Sequence, residues 1–106
     1  MDAKMLQEQL QTYPGLLAKA EKEYHESLHV LAKLKFDLLE LESELLNDGI
    51  KKEKSDMVRN AALFPHTKYL LLEILKQEEQ RDFAKIEYHK VKKECEHLEY
   101  LARLML

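Results

Sequence analysis

The chain has 106 residues, of which 45% are hydrophobic and 35% charged, with a net charge of −3, two Gly, two Pro and one Cys. That length bounds it to one domain, and so few breakers beside abundant Leu, Glu and Lys exclude a sheet-rich fold in favour of long helices. Two glycines are too few for a glycine-rich phosphate cradle, and one thiol cannot form an internal disulfide.

In chain order, Met5 (or Leu6) and Leu10 in "AKMLQEQLQT" are helically spaced and predict a short first helix over 1–13. "TYPG" (12–15) is expected to break it, because Pro14 and Gly15 are strong punctuation and proline is tolerated in the first turn of a new helix. From Leu17 onward the apolar residues fall into a heptad, with Leu17, Tyr24, Leu31, Leu38 and Leu45 in one series. Ala20, Ser27, Leu34 and Leu41 form the other, and together they predict a long helix over 15–47. Leu28, Leu39 and Leu46 widen this stripe beyond a two-stranded seam, which favours a bundle of three or more helices. "NDG" (47–49) ends the helix with Gly49 as a C-cap.

Residues 48–67 read as a basic linker containing a short helix. Ser55 is a suitable N-cap, Asp56 a first-turn acid, and the residue before Pro65 is pushed out of helical geometry. The last helix is expected over 67–106. Its seam is Leu70, Ile74, Gln77, Arg81, Ala84, Tyr88, Val91, Cys95, Leu98, Ala102 and Met105. The middle, "KQEEQRD" (76–82), is polar, and either faces solvent or lies where an oligomer opens. The expected fold is therefore all-α and a single domain over 1–106: a long, coiled-coil-like antiparallel helical hairpin with a short N-terminal helix. Two helices cannot cover all of their own apolar surface, so a homo-oligomer is expected. Leu31, Leu34, Leu38, Leu41, Tyr88, Val91 and Leu98 are the expected core and oligomer contacts.

Charge is unevenly spread: residues 1–48 carry −5, residues 49–68 carry +3, and residues 69–106 carry −1. The basic island sits at the expected turn and holds Lys51, Lys52, Lys54, Arg59 and Lys68, with His66 beside them and Phe64 and Tyr69 near enough to offer rings. Single-stranded nucleic acid needs this combination, since cations take the phosphates and rings take the bases. An ordinary solvated turn explains the same lysines. In a ring of several copies the field of the patch would be multiplied.

Other candidates are weaker. "ESLH" (Glu26, His29) and "ECEH" (Glu94, His97) have the i, i+3 spacing of di-iron bundles. However, Glu26 and His29 fall on outward heptad positions, the two pairs lie about 20 Å apart along an antiparallel hairpin, and the seams offer no further inward glutamates. Glu21, His25 and His29 make an i, i+4, i+8 ladder on one exposed face, which would leave a metal unenclosed. Cys95 lies on the seam, where a free cysteine is core rather than nucleophile. No catalytic constellation, metal site, cofactor or small-molecule substrate is expected. A polar start with Asp2 and Lys4, and the absence of a long apolar run, predict no signal peptide or membrane contact, hence a cytoplasmic location.

The order of elements carries a resemblance. "KLKFDLLELESELL" leads into a charged linker, then "SDMVRNAALFPHTKYLLLEILKQEEQRDFAKIEYHKVKKECEHLEYLARLML" closes the chain. Over roughly residues 30–105 this resembles small phage helical-hairpin proteins, among them the UvsY family of T4-type phage recombination mediators. The likeness lies in Asp56 and Met57 after a basic linker, a short helical segment, and a long closing helix. It implies a ring-like homo-oligomer that binds single-stranded DNA and helps load a recombinase, in the cytoplasm of a bacterial host. Lys51, Lys52, Lys54, Arg59 and Lys68 would be the DNA-binding positions. This chain departs from that family in being shorter and net acidic. A coiled-coil scaffold, adaptor or phage assembly protein that binds only protein is the alternative.

Overall fold

A computed structural model of the chain describes residues 2–47 and 56–105. Among these residues there are two α-helices and no strand: α1, Ala3–Asn47, and α2, Asp56–Met105. They contribute to two compact units, one of Met1–Leu28 with Gln80–Leu106 and one of His29–Glu79.

Asp2 starts α1 as its N-cap. Its side-chain Oδ1 accepts from the Met5 amide at 2.8 Å, and its carbonyl accepts from the Leu6 amide at 3.0 Å. The break expected at 12–15 does not occur, and Pro14 lies inside α1. An interior proline deprives the carbonyl four residues back, that of Leu10, of its amide partner and crowds it, at a cost of about 3 kcal/mol. The offset is in the packing. Leu6 is 0% exposed, and Leu10, Tyr13 and Leu17 are half-buried in the same alternation of four- and three-residue steps. Burying a leucine fully contributes about 2–3 kcal/mol, and a break at Pro14 would turn Leu6 and Leu10 away from that face.

The same holds at Pro65. The expected stop at Phe64–Pro65 and restart at residue 67 give way to one helix from Asp56. Leu63 and Thr67, on either side of the proline, are both buried, and the Thr67 hydroxyl donates to the Leu63 carbonyl at 3.2 Å. The hydroxyl is thus satisfied inside its own helix, so an apolar environment costs it little. The N-terminal part of the expected linker, 48–55, lies outside the described residues, and 56–67 is α2.

In the first unit the core is Leu6, Ala20, Val91 and Leu98. The Cys95 thiol donates to the Tyr13 carbonyl at 3.7 Å, and the rings of Tyr24 and Tyr88 stack with centroids 5.8 Å apart. These contacts step forward along α1 as they step back along α2. Ser27, a polar residue on the seam, donates to the Tyr24 carbonyl at 2.6 Å.

In the second unit Leu31, Leu63, Thr67 and Ile74 are buried, with Leu34, Leu38, Leu41 and Leu45 half-buried along the same stripe. Gln77 continues the α2 seam, and its amide donates to the Glu73 carboxylate at 3.0 Å, one turn back. Among the described residues every buried side-chain nitrogen or oxygen has a hydrogen-bond partner. Polar seam positions are therefore tolerated because local bonds on the same helix satisfy them.

Candidate interaction surfaces

The basic island divides. Lys51, Lys52 and Lys54 lie outside the described residues. Arg59 and Lys68 are on α2 in the second unit, Arg59 half-buried and Lys68 exposed. Of the nearby rings, Tyr69 is 82% exposed and Phe64 51%. Successive helical residues point about 100° apart, whereas residues four apart share a face. Phe64, and not Tyr69, is therefore the ring on the face of Lys68.

Lys68 lies in an apolar setting. Together with Phe64, Leu71, Leu72, Ile74, Leu75 and Glu78 it lines an open groove of about 450 Å³. Leu72 and Leu75 are each more than half exposed although Ile74 between them is buried. The run "YLLLEIL" thus serves two faces at once, an inner seam and an outer stripe. The signal for this was present in the sequence: Phe64, Leu71 and Leu75 keep helical spacing beside the seam of Leu63, Thr67, Leu70 and Ile74. A second shallow surface in this unit, on α1, is lined by Phe36, Leu39, Glu40, Ser43 and Glu44.

The expected contact residues sit on the inner faces of their own units. Leu31, Val91 and Leu98 are buried, and Leu34, Leu38, Leu41 and Tyr88 are half-buried, Tyr88 against Tyr24. Packing within each unit therefore buries Leu31, Val91 and Leu98 and leaves Leu34, Leu38, Leu41 and Tyr88 partly open. Leu28 and Leu39, which widen the α1 stripe, are exposed, as are Phe36, Phe83 and Ile86.

In the first unit Tyr13 and Cys95 share a small groove with Leu10, Pro14, Leu98 and Glu99. A hydrogen bond to the Glu94 carboxylate, and then that carboxylate's charge, hold the Tyr13 phenol above its usual value. Burial pushes the Cys95 thiol up, with Glu99, Glu94 and Glu96 acting in the same direction. Each effect favours the neutral form, so this pair is poorly set up as a nucleophile. Of the Glu-x-x-His pairs, Glu26, His29 and His97 are exposed and Glu94 is half-buried. His25 stands 3.7 Å from Glu21 on one exposed face. Among the described residues no three His, Cys, Asp or Glu side chains are gathered to hold a metal ion, and no helix is long and apolar enough to cross a membrane.

The chain matches no family model, no curated protein and no solved structure.

Proposed function

We propose that this chain is a non-enzymatic accessory protein that works as an oligomer of antiparallel helical hairpins. In this reading its basic end binds single-stranded DNA and it assists a recombinase in phage-type recombination, in the cytoplasm of a bacterial host. The observation that carries the oligomeric half is the second set of apolar side chains. Each helix has its own inner seam, yet Phe36, Leu39, Leu75, Phe83 and Ile86 all stand more than half exposed. Phe64, Leu72 and Leu75 adjoin in one open groove, and a contiguous exposed apolar patch favours a protein-covered surface.

The nucleic-acid half is supported by the +3 charge of residues 49–68 and by the exposed rings of Phe64 and Tyr69 close to Lys68 in the chain. Lys51, Lys52, Lys54, Arg59 and Lys68 are its phosphate contacts. The test is binding of a fluorescent single-stranded oligonucleotide at low and moderate salt, beside the mass of the protein in solution. Binding by a multi-chain species that weakens steeply as salt rises is the expected result, because phosphate contacts release counterions. Absence of binding at low salt would refute the nucleic-acid half.

A second reading, a scaffold that touches only protein, is favoured by the position of Lys68 in a mainly apolar groove. Reversing Lys51, Lys52 and Lys54 to Glu separates the two. Oligonucleotide binding is lost under the first reading, and partner assembly is unaffected under the second.

A further inference from the structure

We propose that the α2 groove over residues 64–78 is the seat of a second copy of this chain, docked two-fold symmetrically and antiparallel. The inference rests on the oligomeric half of the function proposed above and is independent of the nucleic-acid half.

The argument starts from helical geometry. Lys68, Leu71, Leu75 and Glu78 fall within an arc of about 80° on α2, and all four line one open groove. Their spacings along the chain are three, four and three, which read the same in either direction. A two-fold axis at the level of residue 73, perpendicular to the helix, therefore exchanges position 68 with 78 and position 71 with 75. Two copies related this way set Leu71 of each against Leu75 of the other, with Lys68 opposite the second copy's Glu78 at both ends. An isologous interface needs one patch to be its own complement, and the four positions 68, 71, 75 and 78 are complementary in polarity and charge.

The alternatives are less well matched. A parallel pairing of the same faces sets Lys68 against Lys68 and Glu78 against Glu78, two like-charge contacts. Docking on the α1 surface of another copy meets Glu40 and Glu44, which suits Lys68 and opposes Glu78. Of these three, the antiparallel pairing of the groove with itself answers both charges. Leu75 at 62% and Leu72 at 52% exposure supply apolar area still open to solvent.

Charge exchange on the full chain tests this, with sedimentation equilibrium as the readout and circular dichroism to verify helix content. Lys68→Glu and Glu78→Lys each convert two attractive contacts per dimer into repulsive ones, and each is expected to weaken self-association roughly tenfold. An equimolar mixture of the two variants restores both contacts. The carboxylate introduced at position 68 of one variant then faces the ammonium introduced at position 78 of the other, while the native Lys68 and Glu78 meet at the opposite end. Wild-type association is therefore expected to return. Residues 68 and 78 are about 15 Å apart along one helix, so recovery cannot arise within a chain. Leu75→Asp is expected to abolish the contact. Single variants that associate as the wild type does would overturn this face while leaving the oligomeric reading intact. Weakened single variants that fail to recover on mixing would overturn the two-fold pairing. A wild-type chain that is monomeric throughout would overturn the face and the oligomeric reading together, and oligonucleotide binding would remain a separate measurement.

Discussion

Gly15→Ala gives the sharpest test of whether α1 passes unbroken through the segment that local rules mark as a break. Gly15 lies inside α1 on the exposed side, and a Cβ built on it meets nothing within 4 Å. The new methyl therefore neither clashes nor packs, and the substitution reads helix propensity alone. Glycine in a helix interior costs about 0.8–1 kcal/mol relative to alanine, mostly in backbone entropy. The variant should thus be more stable by roughly 1 kcal/mol. In guanidinium chloride, with a slope of about 4 kcal/mol per molar for a chain of this size, the midpoint should rise by about 0.25 M at unchanged slope. If Gly15 instead occupied a turn between two helices with positive φ, alanine would strain it and the midpoint would fall. A midpoint that stays or falls refutes the continuous helix. The measurement needs no knowledge of partner or ligand.

Pro14→Ala should act in the same direction and further. Restoring the amide to the Leu10 carbonyl recovers about 3 kcal/mol, less up to about 1 kcal/mol for the freer unfolded chain, which leaves a gain of roughly 2 kcal/mol in the same denaturation assay. Leu6→Ala should lose about 2–5 kcal/mol, because Leu6 is the side chain most completely removed from water; a loss below about 1 kcal/mol would mean that the N-terminal turns of α1 are not docked. Cys95 should react with a thiol reagent more slowly in the folded than in the unfolded chain at mildly alkaline pH. Burial raises its thiol above the ordinary 9.0, so the folded state holds the neutral form where the unfolded chain begins to ionise. The stability linked to that shift is present below the unfolded value of 9.0 and is lost as pH rises through the folded value. Equal rates in the folded and unfolded chain would contradict the packed position of the thiol.

Much of this arrangement was legible in the residues. Helix class follows from Leu, Glu and Lys abundance with few breakers, and the α2 seam from Leu70 to Ala102 can be read from its steps of four and three. The same alternation continues back through Thr67 to Leu63 on α2, and through Tyr13 and Leu10 to Leu6 on α1. The register therefore already crossed both prolines, and the punctuation rules for "TYPG" and "FPH" pointed the other way. Those rules are local, and they weigh a proline against the few residues around it.

The groove on α2 was harder to see. "YLLLEIL" is simply apolar when read along the chain, and nothing in it says which leucines turn inward. Once Leu63, Thr67 and Ile74 are committed to the seam, Leu72 and Leu75 have to point outward, with half-buried Leu71 between the two faces. Exposure of Leu39 beside half-buried Leu38 and Leu41 follows in the same way, since a helix has one inner face and a three-leucine stripe overfills it.

Composition and periodicity by themselves determined that this chain makes long helices and which residues share a face. The tertiary structure alone decided between the continuing register and the punctuation at Pro14 and Pro65, and which apolar stripe each unit buries. The physical reason is one of range. Propensity and periodicity are sums over neighbours in sequence, whereas the burial that offsets a proline cost of about 3 kcal/mol comes from residues on another segment, such as Val91, Cys95 and Leu98 packed in the same unit as Leu6 and Tyr13.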